Sequence, residues 1–229
     1  MSIKDRLDCI RKRIEAAAVR CGRDPKSVRL VTVSKTFPAE TVREAIEAGA
    51  DILGENYIQE ARSKHETLSD CPVSWHYIGH LQSNKAKYAV RFVDLIHSVD
   101  SLKLAKEIDK QAAKCDKIQN ILIQVNIGKE DSKSGVFEED AVQLVRDAGT
   151  LDHVAVKGLM IIPPFYDEPE RVRPFFAGLR NLAEKIRAMN IPGVSMTELS
   201  MGMSGDFETA IENGATLVRV GRSIFGERH

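Results

Sequence analysis

Val28-Arg29-Leu30-Val31-Thr32-Val33-Ser34 reads as a strand. After Pro38 the pattern changes to a helix that carries Val42, Ala45 and Ile46 and stops at Gly49. This strand-then-helix unit recurs along the chain. Upstream, Ile3, Leu7, Ile10, Ile14 and Ala17 follow one another at steps of three or four, the spacing of an amphipathic helix, which Gly22 and Pro25 stop. Downstream, strands are expected over 51–53, 75–78, 95–99, 120–125, 156–162, 196–200 and 217–220. Helices are expected between them: one after Gly54-Glu55-Asn56, one from near Ser83, one over 101–114, one with Val142, Leu144 and Val145, a long one with Val172, Phe175, Phe176, Leu179, Leu182, Ile186 and Met189, and one over 204–213. A polar loop is expected from Gly128 to Gly135. Asn56, with Gln59 three residues on, is read as a helix N-cap with a capping box.

Eight strands that alternate with helices imply parallel pairing through right-handed crossovers. Eight such units in this length predict an α/β fold, a single eight-stranded parallel β/α (TIM-type) barrel over 1–229. An open doubly wound sheet is the alternative, but the first turn lacks the glycine-rich fingerprint of that class. Ala45-Ile46-Glu47-Ala48-Gly49-Ala50 is echoed by Ala210-Ile211-Glu212-Asn213-Gly214-Ala215, each a helix end, a glycine and a strand start. No linker divides the chain.

The chain has 229 residues, 43% of them hydrophobic, enough for a large core. Lys plus Arg and Asp plus Glu number 33 each, so the basic excess of a nucleic-acid binder is missing and no nucleic-acid partner is expected. Cys9, Cys21, Cys71 and Cys115 lie far apart and read as free thiols. The N-terminus is charged, and no run approaches the roughly 18 apolar residues of a membrane span. A soluble, cytoplasmic protein is expected. No histidine or carboxylate set has metal-ligand spacing, and no Gly-x-Ser-x-Gly elbow is present.

Lys35 carries the chemistry worth weighing. On a strand it shares a face with Val31 and Val33, which places it at the C-terminal end of a barrel strand on an interior face. A lysine drawn out of water loses proton affinity, and its neutral amine attacks carbonyls. The same pattern also fits a lysine that leaves the strand for solvent or for a carboxylate. Phosphates in barrels often sit between the loops that follow the seventh and eighth strands. Here those loops are Ser200-Met201-Gly202-Met203-Ser204-Gly205 and Gly221-Arg222-Ser223, and Arg219 lies within the last strand. Simple helix capping by Ser204 and an internal Arg219–Glu198 pair are the structural alternatives. Asn56, His80 and Met160 follow or end other strands and could line the same mouth; a cap, a loop histidine and a core methionine are their plain readings.

Val31-Thr32-Val33-Ser34-Lys35, Gly54-Glu55-Asn56-Tyr57, Trp75-His76-Tyr77-Ile78-Gly79-His80-Leu81-Gln82, Gly158-Leu159-Met160, Leu199-Ser200-Met201-Gly202-Met203-Ser204 with Asp206-Phe207, and Arg219-Val220-Gly221-Arg222-Ser223-Ile224-Phe225-Gly226 together resemble the pyridoxal phosphate homeostasis proteins, formerly called proline synthase co-transcribed homologues. The resemblance covers essentially the whole chain. It implies a barrel similar to the alanine racemase N-terminal domain, with pyridoxal 5′-phosphate (PLP) as cofactor. It implies that Lys35 is the Schiff-base lysine and that Ser200, Ser204 and the segment with Arg219, Gly221 and Arg222 surround the cofactor's phosphate and ring. Asn56, His80 and Met160 lie near the ring by the same implication. Whether Arg219 faces the ring nitrogen or the phosphate stays open.

The resemblance further implies intracellular homeostasis of PLP, with release by transimination to an incoming amine, and apo forms of PLP-dependent enzymes as partners. A PLP-dependent racemase-like enzyme and a Schiff-base aldolase are the competing readings. Barrel racemases of this kind carry a second, mostly β domain that supplies a catalytic base, and here the chain ends at His229, just after the last strand and its short helix. A carrier that is not an enzyme is therefore expected, as a monomer.

Overall fold

The computed structural model describes residues 1–130 and 133–226. The tip of the expected 128–135 loop, at 131–132, lies outside the described residues. The chain runs α1 (Ile3–Arg20), β1 (Arg29–Val33), α2 (Ala39–Glu47), β2 (Ile52–Glu55), α3 (Ile58–Thr67), β3 (Ser74–Tyr77), α4 (Ala86–Ala89), β4 (Leu95–Val99), α5 (Leu102–Ala113), β5 (Gln119–Gln124), α6 (Glu138–Gly149), β6 (Val154–Met160), α7 (Arg173–Ala188), β7 (Val194–Ser200), α8 (Phe207–Glu212), β8 (Leu217–Val220) and α9 (Arg222–Phe225). The strands close into one parallel barrel in sequence order. β1 completes the ring by pairing with β8, Val31 opposite Arg219 and Thr32 opposite Val220. The closed barrel is the expected fold, and the open sheet is excluded.

Alternation along the strands sorts side chains between two cores. Val31, Val33, Ile52, Ile78, Leu95, Leu122, Met160 and Leu217 pack together inside the barrel. Their strand neighbours, among them Leu30, Ile121, Ile123, Leu159 and Val218, face outward and pack in a larger cluster with the apolar sides of the helices. α1 lies against this shell through Leu7, Ile10 and Ile14, with Arg13 paired to Glu208 and Arg20 to Glu212 on α8.

The helix ends follow from local chemistry. Ser2 and Asp5 form a reciprocal capping box at the start of α1. The echoed hexapeptides are two copies of one helix stop. In the first, the N–H of Ala50 donates to the Ala45 carbonyl at 2.9 Å and that of Gly49 to Ile46 at 2.8 Å; in the second, Ala215 donates to Ala210 and Gly214 to Ile211, both at 3.0 Å. Gly49 (φ 101°) and Gly214 (φ 99°) occupy the left-handed position that glycine fills without strain.

Three local expectations are corrected. α3 starts after Tyr57, which makes no side-chain cap, so Asn56 is not an N-cap and no capping box forms there. The helix expected from Ser204 begins at Phe207, with Asp206 at the N-cap position, so capping does not explain Ser204. The helix expected from near Ser83 is a 3₁₀ turn (Ser83–Lys85) followed by the single turn of α4. Among the described residues no helix is long and apolar enough to cross a membrane, and the four cysteines are free.

Candidate site at the C-terminal mouth of the barrel

Lys35 stands two residues beyond β1, half-buried, in a turn. The strand residues that precede it, Val31 and Val33, are packed inside the barrel. Thr36 follows with φ 70°. A β-branched residue seldom adopts the left-handed region, and such a conformation costs about 1–3 kcal/mol unless its surroundings hold it. The backbone at this lysine is therefore fixed by contacts from elsewhere.

Those contacts come from β2 and α3. Lys64 on α3 is buried, and its Nζ donates to the Ser34 carbonyl, to Glu55 Oε1 and to Glu60 Oε1, each at 2.7 Å. The Ser34 hydroxyl donates to Glu55 Oε1 at 2.6 Å. The amide of Thr36 donates to Glu60 Oε1 at 2.5 Å. Burial raises the pKa of the Glu55 carboxyl, and Lys64 and Ser34 oppose that rise.

A second polar line crosses the barrel beneath the mouth. Arg219, buried on β8, donates from Nη1 to Ser200 Oγ at 2.6 Å and from Nη2 to the Ile161 carbonyl at 2.8 Å. Ser200 Oγ lies 2.8 Å from His97 Nδ1, and His97 Nε2 lies 3.0 Å from His76 Nδ1. Burial lowers His76 to about 4 and His97 well below its ordinary value, so both rings are neutral at pH 7. Burial also lowers Arg219 to about 10, with Asp206 acting against the fall; the guanidinium stays charged. Glu198, the alternative partner for Arg219, instead accepts from Arg29 and Thr216.

Close backbone approaches shape the rim. A Cβ on Gly79 would lie 2.3 Å from the Asn56 carbonyl oxygen, and one on Gly221 would lie 2.9 Å from that of Val33. Tyr77 ties the loops after β2 and β3 together, its hydroxyl 2.8 Å from the Asn56 carbonyl and 3.2 Å from that of His80. Asn56 Oδ1 is buried without a hydrogen-bond partner.

Comparison with known proteins resolves the family. Residues 6–229 match the model for the alanine racemase N-terminal domain. The chain is 46% identical over 229 residues to a pyridoxal phosphate homeostasis protein of Aquifex aeolicus, covering 100% of this chain and 99% of that protein. A protein of the same name from Pseudomonas aeruginosa is 41% identical over 227 residues, covering 99% and 96%. The chain belongs to the pyridoxal phosphate homeostasis protein family. A solved family neighbour, PipY of Synechococcus elongatus with PLP bound, superposes with a TM-score of 0.87 at 37% identity, covering 98% of this chain and 100% of that one.

Set against this family, the residues singled out in the sequence fall into distinct places. Ser200 and Arg219 touch each other inside the barrel. Met160 is buried in the interior cluster with Val31 and Val33, and it pairs in register with Ser200. Gly221 packs against Val33. Ser204 sits in the turn before α8, half-buried, and Arg222 opens α9 in an exposed position. His80 is 56% exposed and turns toward the β4 and β5 loops, with Nδ1 3.7 Å from Asp100 Oδ2 and 3.3 Å from Ser134 Oγ. Glu55, Glu60, Lys64, His76 and His97 escaped the sequence reading as site residues. For the histidines a signal existed: each is flanked on its strand by residues of the opposite face, Trp75 and Tyr77, Ile96 and Ser98. The Glu60–Lys64 spacing reads only as an ordinary helix pair.

Proposed function

We propose that this chain binds PLP at the C-terminal mouth of its barrel, with Lys35 as the anchoring amine, and that it holds and releases the cofactor rather than turning over a substrate. The observation that supports the reading is that Val31 and Val33 pack inside the barrel and Lys35 follows two residues beyond β1, at the strand's C-terminal end, with the buried Arg219 level with Val31. When bound, the cofactor supplies an aldehyde that condenses with a primary amine, releasing water, and that a second amine can take over without any change of oxidation state.

The rim fits this group. Lys35 brings a primary amine to the C-terminal end of β1. Asn56 Oδ1 is a buried acceptor without a protein donor. Arg219 keeps a buried positive charge beneath the mouth, suited to a phosphate or a ring nitrogen. Ser204, Gly221 and Arg222 belong to the loops after β7 and β8, where phosphate is commonly held in barrels. Ser200 and Met160 would form the floor, and His80 would stand at the side of the entrance.

The carrier role is supported by the names of the relatives, which are homeostasis proteins. It is also supported by the buried histidines: they are neutral, hydrogen-bonded to each other and to Ser200, and placed to orient Arg219 rather than to exchange protons with a substrate carbon. We further place the protein in the cytoplasm, as a single-domain monomer that passes PLP to apo forms of PLP-dependent enzymes.

Purified protein loaded with PLP should be yellow, and borohydride should fix the cofactor on the peptide that carries Lys35. Lys35→Ala should remain colourless. Wild-type protein that takes up no PLP would sink the reading. Repeated incorporation of solvent deuterium at Cα of amino acids would replace the carrier by a racemase-like enzyme.

A further inference from the structure

We propose that Lys64, Glu55 and Glu60 form a positioning clamp for Lys35, gripping the main chain on both sides of the anchoring amine. The inference rests on the assignment of Lys35 as that amine. Three features carry it. First, the clamp takes hold of one backbone group before Lys35 and one after it: Lys64 Nζ binds the Ser34 carbonyl at 2.7 Å, and Glu60 Oε1 binds the Thr36 amide at 2.5 Å. Second, Thr36 at φ 70° is in a conformation that a β-branched residue does not keep unaided. Third, the ammonium is almost out of water. The Lys64 side chain is 5% exposed, that of Glu55 1% and that of Glu60 26%.

A buried ion cluster is a poor device for stability alone, because desolvation offsets most of the attraction, and well-packed apolar residues would serve as well. It is a good device for fixing geometry. The ammonium has three N–H donors, and all three are used within this cluster. Glu55 Oε1 also receives the Ser34 hydroxyl, so the residue before Lys35 is held at its side chain as well as at its carbonyl. β2 supplies Glu55 and α3 supplies Glu60 and Lys64. The amine at the end of β1 is thus aimed by the neighbouring β/α unit. A lysine that must meet an aldehyde at a set angle, and yield it to a second amine, depends on such aiming more than the fold does.

The decisive variant is Glu60→Ala, at the most exposed of the three clamp positions, where the fold should persist, with Glu60→Gln as its conservative partner. Two readouts separate positioning from folding. One is hydrogen exchange of the Thr36 amide in protein free of cofactor. The other is the Kd for PLP, with the trapped peptide mapped after borohydride. Glu60→Ala should speed Thr36 exchange and weaken PLP binding by about tenfold each, because it removes the charged acceptor that the Thr36 amide shares with Lys64 Nζ. Glu60→Gln, whose side-chain oxygen still accepts the amide, should restore most of both. Lys64→Met should act in the same direction where it folds. Leu122→Ala, a destabilised control away from the clamp, should leave Thr36 protection relative to global stability unchanged. If folded Glu60→Ala keeps wild-type Thr36 exchange and wild-type PLP affinity, the clamp is overturned. If wild-type protein binds no PLP, the cofactor reading fails, and Thr36 exchange alone still decides whether the clamp holds the turn.

Discussion

The histidine pair under the mouth should make stability depend on pH in a window where few other groups act. His76 titrates at about 4 in the folded chain against an ordinary 6.5. Above pH 6.5 the ring is neutral in both states, and its contribution is fully present. As pH falls below 6.5 the unfolded chain takes up a proton that the folded chain refuses, and stability declines until about pH 4. The sign follows from the unfolded state binding more protons throughout that window. At about 1.4 kcal/mol per pH unit, His76 alone removes about 2 kcal/mol by pH 5 and about 3 kcal/mol in full. His97 is lowered further, by burial first and then by His76 and Arg219, so it adds to the same slope. The assay is urea denaturation between about pH 7.5 and about pH 5, comparing wild type with His76→Gln, whose amide can still hydrogen-bond His97. The variant should lose baseline stability but show a slope shallower by about one proton. Carboxylates such as Asp70, held near 2 by Arg43, titrate alike in both proteins and cancel. Equal slopes would refute the neutral, buried pair.

Two further outcomes are expected. Gly79→Ala should cost about 1–3 kcal/mol and loosen PLP retention, because the new Cβ would meet the Asn56 backbone at 2.3 Å, whereas Gly205→Ala, with nothing within 4 Å, should be close to neutral; thermal melts and PLP titration check both. Leu122→Ala should cost about 2–5 kcal/mol in urea denaturation, since Leu122 is fully buried among the eight apolar residues inside the barrel.

The strand-and-helix order was legible because it depends on short-range patterns. The 28–34 strand, the Pro38–Gly49 helix and the doubled Gly49 and Gly214 stops all appear where their residues predict. The errors are local competitions. Asn56 looks like a cap, but its carbonyl is taken by Tyr77 on the neighbouring strand, and the helix starts two residues later. Ser204 looks like a helix start, but the Asp206 carboxylate takes the Met203 amide at 2.5 Å, and the chain turns helical only at Phe207.

By itself the sequence determined the eight β/α units, the interior face that carries Val31 and Val33 ahead of Lys35, and, through motifs spread over the whole chain, the family. Periodicity and turn chemistry act over a few residues, and motifs are strings, so both survive without coordinates. Only the tertiary structure decided what surrounds Lys35. Ser34 comes from the loop after β1, Glu55 from β2 and Glu60 and Lys64 from α3, while His76, His97, Ser200 and Arg219 come from four strands. Their meeting depends on ring closure and on burial, which turn scattered polar residues into two hydrogen-bonded lines. No spacing along the chain encodes that, because the distances that matter are set across the barrel rather than along it.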